Sequence, residues 1–128
     1  MKKKYLIVIA DYYKDISKGL LNSALGLIPK SNIIKIINVP GVFEIPVTIS
    51  KNINRFQGFI ALGCVIKGQT PHFEFISRAV TESILNLSVI KKKPIGNGII
   101  TCHNMKQAIA RGKKGAEAAK AVISVLIQ

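Results

Sequence analysis

The chain has no tryptophan, two cysteines, five prolines and six acidic residues against nineteen basic ones. Each scarcity excludes something. Two thiols, Cys64 and Cys102, without CxxC spacing do not make a disulfide framework. With two scattered histidines they also fall short of the ligand sets of metal sites, so they read as reduced cysteines in a core and no metal is expected. No apolar run is long enough to span a bilayer, because Asp11, Pro29, Pro40 and lysine-rich segments interrupt every one. The opening, Met1 to Lys4 and then Tyr5 to Ala10, has the outline of a signal peptide, but it meets Asp11 with no small-residue cleavage site. It reads as a first strand, and the expectation is a cytoplasmic protein with no membrane partner.

The shortage of acids leaves a net charge of +13 on 128 residues. Such a charge favours polyanions or a phosphorylated substrate. However, lysines dominate and lie in clusters (Lys2 to Lys4, Lys91 to Lys93, Lys113 and Lys114), with no RNP-type aromatic motif, zinc finger or arginine-rich arm. A solvated lysine-rich surface is the ordinary reading, and no nucleic-acid partner is expected. With 48% hydrophobic residues the chain can bury a core, and its length fits one domain spanning 1–128.

Apolar β-branched runs alternate with stretches of helical period, the pattern of a βαβ protein with a parallel sheet. Tyr5 to Ala10 reads as a buried strand. Lys14 to Ile28 reads as a helix, with Ile16, Leu20, Leu21, Ala24 and Leu27 on one face. Ile33 to Val39 is a second strand, ended by Pro40-Gly41. A helix follows from Ile45 to Arg55, with Pro46 in its first turn. Gly58 to Val65 is the most hydrophobic strand and is expected to be central. After a loop over Gly68 to Pro71, His72 to Val89 has helical spacing. Lys91 to Pro94 is a basic turn and Ile95 to Thr101 a fourth strand. Asn104 caps a short helix through Arg111, and Gly115 to Ile127 forms a last one. The expected fold is α/β: a four-stranded parallel sheet with helices on both faces. Ligands of such sheets bind beyond the carboxyl ends of the strands, which singles out Asp11 to Tyr13, Gly41 to Glu44 and Lys67 to His72.

Gly63 to Thr70 comes close to the phosphate-binding pattern GxxxxGK[ST], but Gln69 stands where the lysine is needed, which argues against an NTPase. What survives is a strand–helix turn whose free N–H groups and helix dipole favour an anion, with an ordinary turn as the equal alternative. His72 follows directly and is the obvious proton shuttle, with Glu74 close enough in sequence to orient its ring. His103 precedes a helix cap and reads as structural. Glu44 can accept hydrogen bonds from sugar hydroxyls or a diamine, or simply favour a helix start. Arg111 with Lys113 and Lys114 offers phosphate donors, or a solvated helix end. Tyr12 and Tyr13 follow the first strand, where either could stack on a flat ring or belong to the core.

Three segments in order resemble the lumazine synthase family. They are Pro40-Gly-Val-Phe-Glu-Ile-Pro46; Leu62-Gly-Cys-Val-Ile-Lys-Gly-Gln-Thr-Pro-His-Phe-Glu74; and Asn104-Met-Lys-Gln-Ala-Ile-Ala-Arg111 followed by Lys114-Gly-Ala-Glu-Ala118. The resemblance covers nearly the whole chain. It implies a flavodoxin-like three-layer α/β/α sandwich and condensation of 5-amino-6-ribitylaminouracil with 3,4-dihydroxy-2-butanone 4-phosphate, without metal or cofactor. The products are 6,7-dimethyl-8-ribityllumazine and inorganic phosphate. The substrate's own amine forms the imine, so the protein has to hold two reactants, grip the phosphate and move protons.

By the same resemblance, His72 is the general acid/base, and Gln69, Thr70 and Arg111 bind phosphate. Val42, Phe43 and Glu44 hold the ribityl chain and the pyrimidine edge, Val65 and Ile66 lie beside the ring, and Lys67 is a further substrate-binding residue. Tyr12 stacks on the pyrimidine and Lys114 lies near it. The family's site lies between subunits of a homopentamer, with Asn97, Arg111 and Lys114 supplied by the neighbour of the subunit supplying His72. Some members assemble pentamers into a sixty-subunit shell. The chain departs from the family pattern at Asn97, usually apolar, at Tyr13, usually Asn, and at Asp11, frequently Arg. The connection from Arg111 to Lys114 is several residues short of the norm, and both chain ends are short, which weakens any expectation of a shell. These departures motivate one alternative, a non-catalytic flavin- or lumazine-binding relative.

Overall fold

The computed structural model describes residues 2–68 and 72–128. Strands β1 (Lys4–Ala10), β2 (Ile33–Val39), β3 (Gly58–Ile66) and β4 (Ile95–Cys102) form one sheet of order β2-β1-β3-β4. All three pairings are parallel. The hydrophobic β3 is one of the two central strands, as expected.

Strand alternation divides the core between the two faces. Ile7, Ile9, Ile60 and Leu62 pack on one side with Leu20 and Ala24 of α1 (Lys14–Leu27), Ala108 of α2 (Met105–Ala110) and Val122 of α3 (Lys114–Leu126). Leu6, Val8, Phe59 and Ala61 pack on the other with Ile45 and Ile49 of α4 (Ile45–Lys51) and Val80 and Ile84 of α5 (His72–Lys91). This is the three-layer α/β/α sandwich that the sequence led us to expect.

Two expectations need correction. Helix α4 ends at Lys51 rather than Arg55. Asn52 leaves the helical region (φ −110°, ψ 10°), and its amide side chain turns back to donate to the Thr48 carbonyl at 2.8 Å, so 52–55 continue as turns. Leu27 is 39% exposed instead of facing the core, because α1 ends there and the buried Ile28 takes the core position. Pro46 sits in the first turn of α4 and Asn104 caps α2 by accepting from the Gln107 N–H at 2.9 Å, both as read from the sequence.

Helices α1 and α3 meet at a close crossing. A Cβ on Gly115 would collide with the Leu20 carbonyl, so only glycine admits this approach. The Ser23 hydroxyl locks the same junction, donating to the Gly112 carbonyl at 2.7 Å and accepting from the Ala116 N–H at 3.0 Å. At the opposite end of the sheet, Lys93 Nζ donates to the carbonyls of Ile53 (2.7 Å) and Phe56 (3.0 Å), tying the start of β4 to the approach to β3.

Candidate functional site

The strand order reverses between β1 and β3: the chain moves from β1 to β2 on one side and then to β3 and β4 on the other. A crevice opens at such a reversal beyond the carboxyl ends of the strands. A cleft of about 360 Å³ occupies it, lined by Tyr12 and Tyr13 after β1, Val42 after β2, Val65 and Ile66 at the end of β3, and His72 at the start of α5. The lining is mostly apolar with a histidine at one wall, which suits a flat heterocycle that must exchange protons. Val42 is buried by the 3₁₀ turn Val42–Glu44, while Tyr12 is 75% exposed.

Sequence reasoning did not assign Cys64, Phe73 and Ile76 to this wall. The signal for Ile76 was available, since His72 and Ile76 are one helical turn apart and share a face. Cys64 lies within a strand read only as core. Burial, reinforced by the neighbouring Cys102 thiol, pushes the Cys64 thiol up to about 12, so it is a neutral wall rather than a nucleophile. Both cysteines are free and buried. Burial, then Tyr12 and Cys64, also raises the Tyr13 phenol above its usual 10.0.

The remaining candidates distribute as follows. Phe43 is 63% exposed and borders a groove between α4 and α5 with Pro46, Val47 and Val80. Glu44 is half-buried at the start of α4, and its carbonyl accepts from the Thr48 hydroxyl at 2.8 Å. Glu74 is exposed beside a separate hollow with Arg78 and Glu82. Lys67 is exposed, its N–H bonded to the Cys102 carbonyl at 2.8 Å. Gln69 and Thr70 lie outside the described residues.

Asn97, Arg111 and Lys114 form a second group. They line a polar hollow of about 340 Å³ with Thr101 and Glu117, on the outer side of β4. None of them lines the His72 cleft. The short turn from Arg111 to Lys114 is closed by the Lys114 N–H on the Arg111 carbonyl at 3.0 Å, which keeps both cations on one hollow. Arg111 Nη1 donates to the Thr101 carbonyl at 3.1 Å, leaving other guanidinium donors for an anion. Lys114 pairs with Glu117 at 3.9 Å. Asn97 has a local task as well: its Oδ1 accepts from the Ile99 N–H at 3.0 Å, satisfying a donor on an edge strand.

Among the described residues no three His, Cys, Asp or Glu side chains gather to hold a metal, and no helix is long and apolar enough to cross a membrane. Comparison with known proteins agrees with this architecture. The model of the 6,7-dimethyl-8-ribityllumazine synthase family matches residues 2–127. A 6,7-dimethyl-8-ribityllumazine synthase of Bartonella bacilliformis is 44% identical over 86% of this chain and 76% of its own length. One from Buchnera aphidicola subsp. Baizongia pistaciae is 41% identical over 98% of this chain and 86% of its own. One from Bartonella tribocorum is 39% identical over 98% and 91%. The chain therefore belongs to the 6,7-dimethyl-8-ribityllumazine synthase family.

Proposed function

We propose that this chain, acting as a single domain, is a transferase that condenses 5-amino-6-ribitylaminouracil with 3,4-dihydroxy-2-butanone 4-phosphate. The products are 6,7-dimethyl-8-ribityllumazine, inorganic phosphate and water, in a late step of riboflavin synthesis. Family membership supports the reaction. The observation that carries the site assignment is the cleft at the β1/β3 reversal, where an open aromatic face, an apolar wall and His72 converge.

In this reading the pyrimidine stacks on Tyr12 and slides against Val65 and Ile66, with Lys67 at the rim. Val42, Phe43 and Glu44 receive the ribityl chain and the pyrimidine edge. The amine of the pyrimidine attacks the ketone of the sugar phosphate, and water leaves to give the imine. His72 then takes the proton whose loss drives expulsion of phosphate, and the ribitylamino nitrogen closes the ring on the remaining carbonyl with loss of a second water, His72 returning the proton. Arg111, Gln69 and Thr70 grip the departing phosphate, with Lys114 and Asn97 beside the ring pocket. No cofactor or metal is required, since each bond is made or broken by proton transfer and proximity.

The separation of Asn97, Arg111 and Lys114 from the His72 cleft within one chain supports a site completed between neighbouring subunits. A homopentamer in the cytoplasm is the assembly we infer, with association of pentamers into a larger shell as the further step some relatives take. The rate of lumazine formation by absorbance, set against the uncatalysed background, tests the reaction. Clear enhancement is expected. Folded protein that binds the product yet gives no enhancement would replace the enzyme with a binding relative.

A further inference from the structure

Charge is segregated along the sheet axis. The amino ends of the four strands are joined laterally. The Lys3 N–H donates to Asn32 Oδ1 (2.8 Å), the Lys4 N–H to Gln57 Oε1 (2.7 Å), and the Phe59 N–H to the Pro94 carbonyl (3.0 Å). These bonds bring the flanking residues onto one end of the molecule, opposite the His72 cleft. Lys2, Lys3 and Lys4 precede or open β1, Lys30 precedes β2, and Arg55 precedes β3. Lys91, Lys92 and Lys93 precede β4. No acidic side chain occurs in 1–4, 28–33, 51–58, 88–95 or 120–128.

The six acids lie elsewhere. Asp11, Asp15, Glu44 and Glu74 follow the carboxyl ends of strands, Glu117 is in the first turn of α3, and Glu82 is midway along α5. Among the described residues the one ion pair, Lys114–Glu117, is also away from the cationic end.

Helix dipoles do not balance this. The helices that end here contribute roughly half a negative charge each, about two in all, against eight cations. Adjacent strands are about 4.8 Å apart, inside the ~8 Å screening length at physiological salt, so cations on neighbouring strands reinforce one another.

We propose that this face binds the phosphate backbone of nucleic acids without regard to sequence, independently of the catalytic site. The cations are lysines with a single arginine, Arg55, which supply point charges for phosphate rather than forked contacts to base edges. The exposed aromatics Tyr12, Phe43 and Phe75 all follow carboxyl ends of strands, so the cationic face has no ring on which a base stacks. Tyr5 at this end is buried, so the face equally lacks an exposed Trp or Tyr of the kind that seats a protein at a bilayer interface, which disfavours the rival polyanion, an anionic membrane. An oligomer repeating the face multiplies its charge and its avidity.

The test uses the full chain and a fluorescein-labelled mixed-sequence RNA duplex, followed by anisotropy across a salt series. With about six phosphates engaged, affinity falls ~10³-fold or more between roughly 50 and 200 mM salt. The triple variant Lys30→Gln, Arg55→Gln, Lys91→Gln lowers the slope of log affinity against log salt by about three. A control with equal net charge, Lys14→Gln, Lys18→Gln, Lys106→Gln, keeps the parental slope. Circular dichroism and lumazine formation unchanged in both variants exclude misfolding; if the first triple is unstable, Lys30→Gln alone, with a slope lowered by about one, replaces it. Equal losses in both triples would assign binding to bulk charge and overturn the proposal. So would absence of RNA binding, whether or not vesicles of phosphatidylglycerol and phosphatidylcholine sediment the protein.

Discussion

The ring of Tyr13 stands edge-on to that of Tyr12, with centroids 4.9 Å apart and planes at 82°. Tyr13 is half-buried and packs against the core, whereas Tyr12 is 75% exposed. The anchored ring therefore restricts the exposed one before any substrate arrives.

An aromatic pair of this kind contributes about 0.5–1.5 kcal/mol beyond burial, equivalent to roughly 2–10-fold in an equilibrium constant. Tyr13→Ala is expected to raise KM for the pyrimidine by that factor with kcat little changed, and Tyr13→Phe to restore it. Steady-state kinetics on both variants decide the matter. A Tyr13→Phe defect equal to that of Tyr13→Ala would move the role from ring packing to the phenol.

His72 carries the proton transfers in the proposed reaction. Loss of a positioned acid/base costs about 10²–10⁴-fold, so His72→Ala should lower kcat within that range while product binding persists. Measuring lumazine formation and product affinity on the same preparation separates chemistry from binding. A His72→Ala enzyme with parental kcat would remove the assignment.

Much of this was legible in the residues, and the failures have identifiable causes. The four strands and the longer helices were visible because apolar period distinguishes two-sided burial from one-sided burial, as at β3 and α1, and the short helix after Asn104 was marked by its cap, whereas the 3₁₀ turn Val42–Glu44 was not foreseen. Helix α4 was overextended because Ile53 continues the apolar spacing past Asn52, and only tertiary packing shows that this isoleucine fills the core from a turn. The wall residues Cys64 and Phe73 were missed because a side chain that lines a cleft and one that fills a core share the same sequence pattern. The clustering of Lys4, Lys30, Arg55 and Lys93 was invisible for another reason: it requires the strand order, which brings distant segments to one end.

Gly115 is the tightest point of the α1–α3 crossing. An added Cβ meets the Leu20 backbone carbonyl, which cannot rotate away, so the helices must separate. Gly115→Ala is expected to destabilise the fold by about 1–3 kcal/mol despite alanine's better helix propensity. Thermal unfolding followed by circular dichroism reads this directly; an unchanged or raised Tm would show that the crossing tolerates the methyl group.

Alkaline pH tests the environment of Cys64. Its folded thiol is pushed up to about 12 from 9.0, so folding favours the neutral form. Below pH 9.0 the thiol is neutral whether folded or unfolded and its contribution is fully present. Above that, only the unfolded chain ionises, and stability falls progressively as pH climbs towards about 12. Tyr5 and Tyr13, both raised from 10.0 chiefly by burial, add to the decline from that pH upward. The slope of Tm against pH above 9.0 should be negative and flatter in Cys64→Ala. An identical slope in the variant would mean that Cys64 ionises as readily folded as unfolded.

The separation of Arg111 from the His72 cleft has the most direct consequence. If one subunit supplies His72 and its neighbour supplies Arg111, each single variant, His72→Ala or Arg111→Ala, damages every site in its own oligomer. Co-assembly of the two places an intact His72 beside an intact Arg111 wherever the order of neighbours is right. In a ring of head-to-tail contacts with random mixing, about a quarter of sites regain both groups. Lumazine formation by the mixture, after denaturation and refolding together, should therefore rise well above the mean of the parents, towards about a quarter of unmodified activity. Arg111→Ala alone should raise KM for the sugar phosphate, because the lost guanidinium bonds are charge-assisted and worth about 1.5–3 kcal/mol each. Mixtures that show only the average of the two variants would place both residues in one subunit's site. The chain would then have to close β4 and α2 over the cleft during turnover.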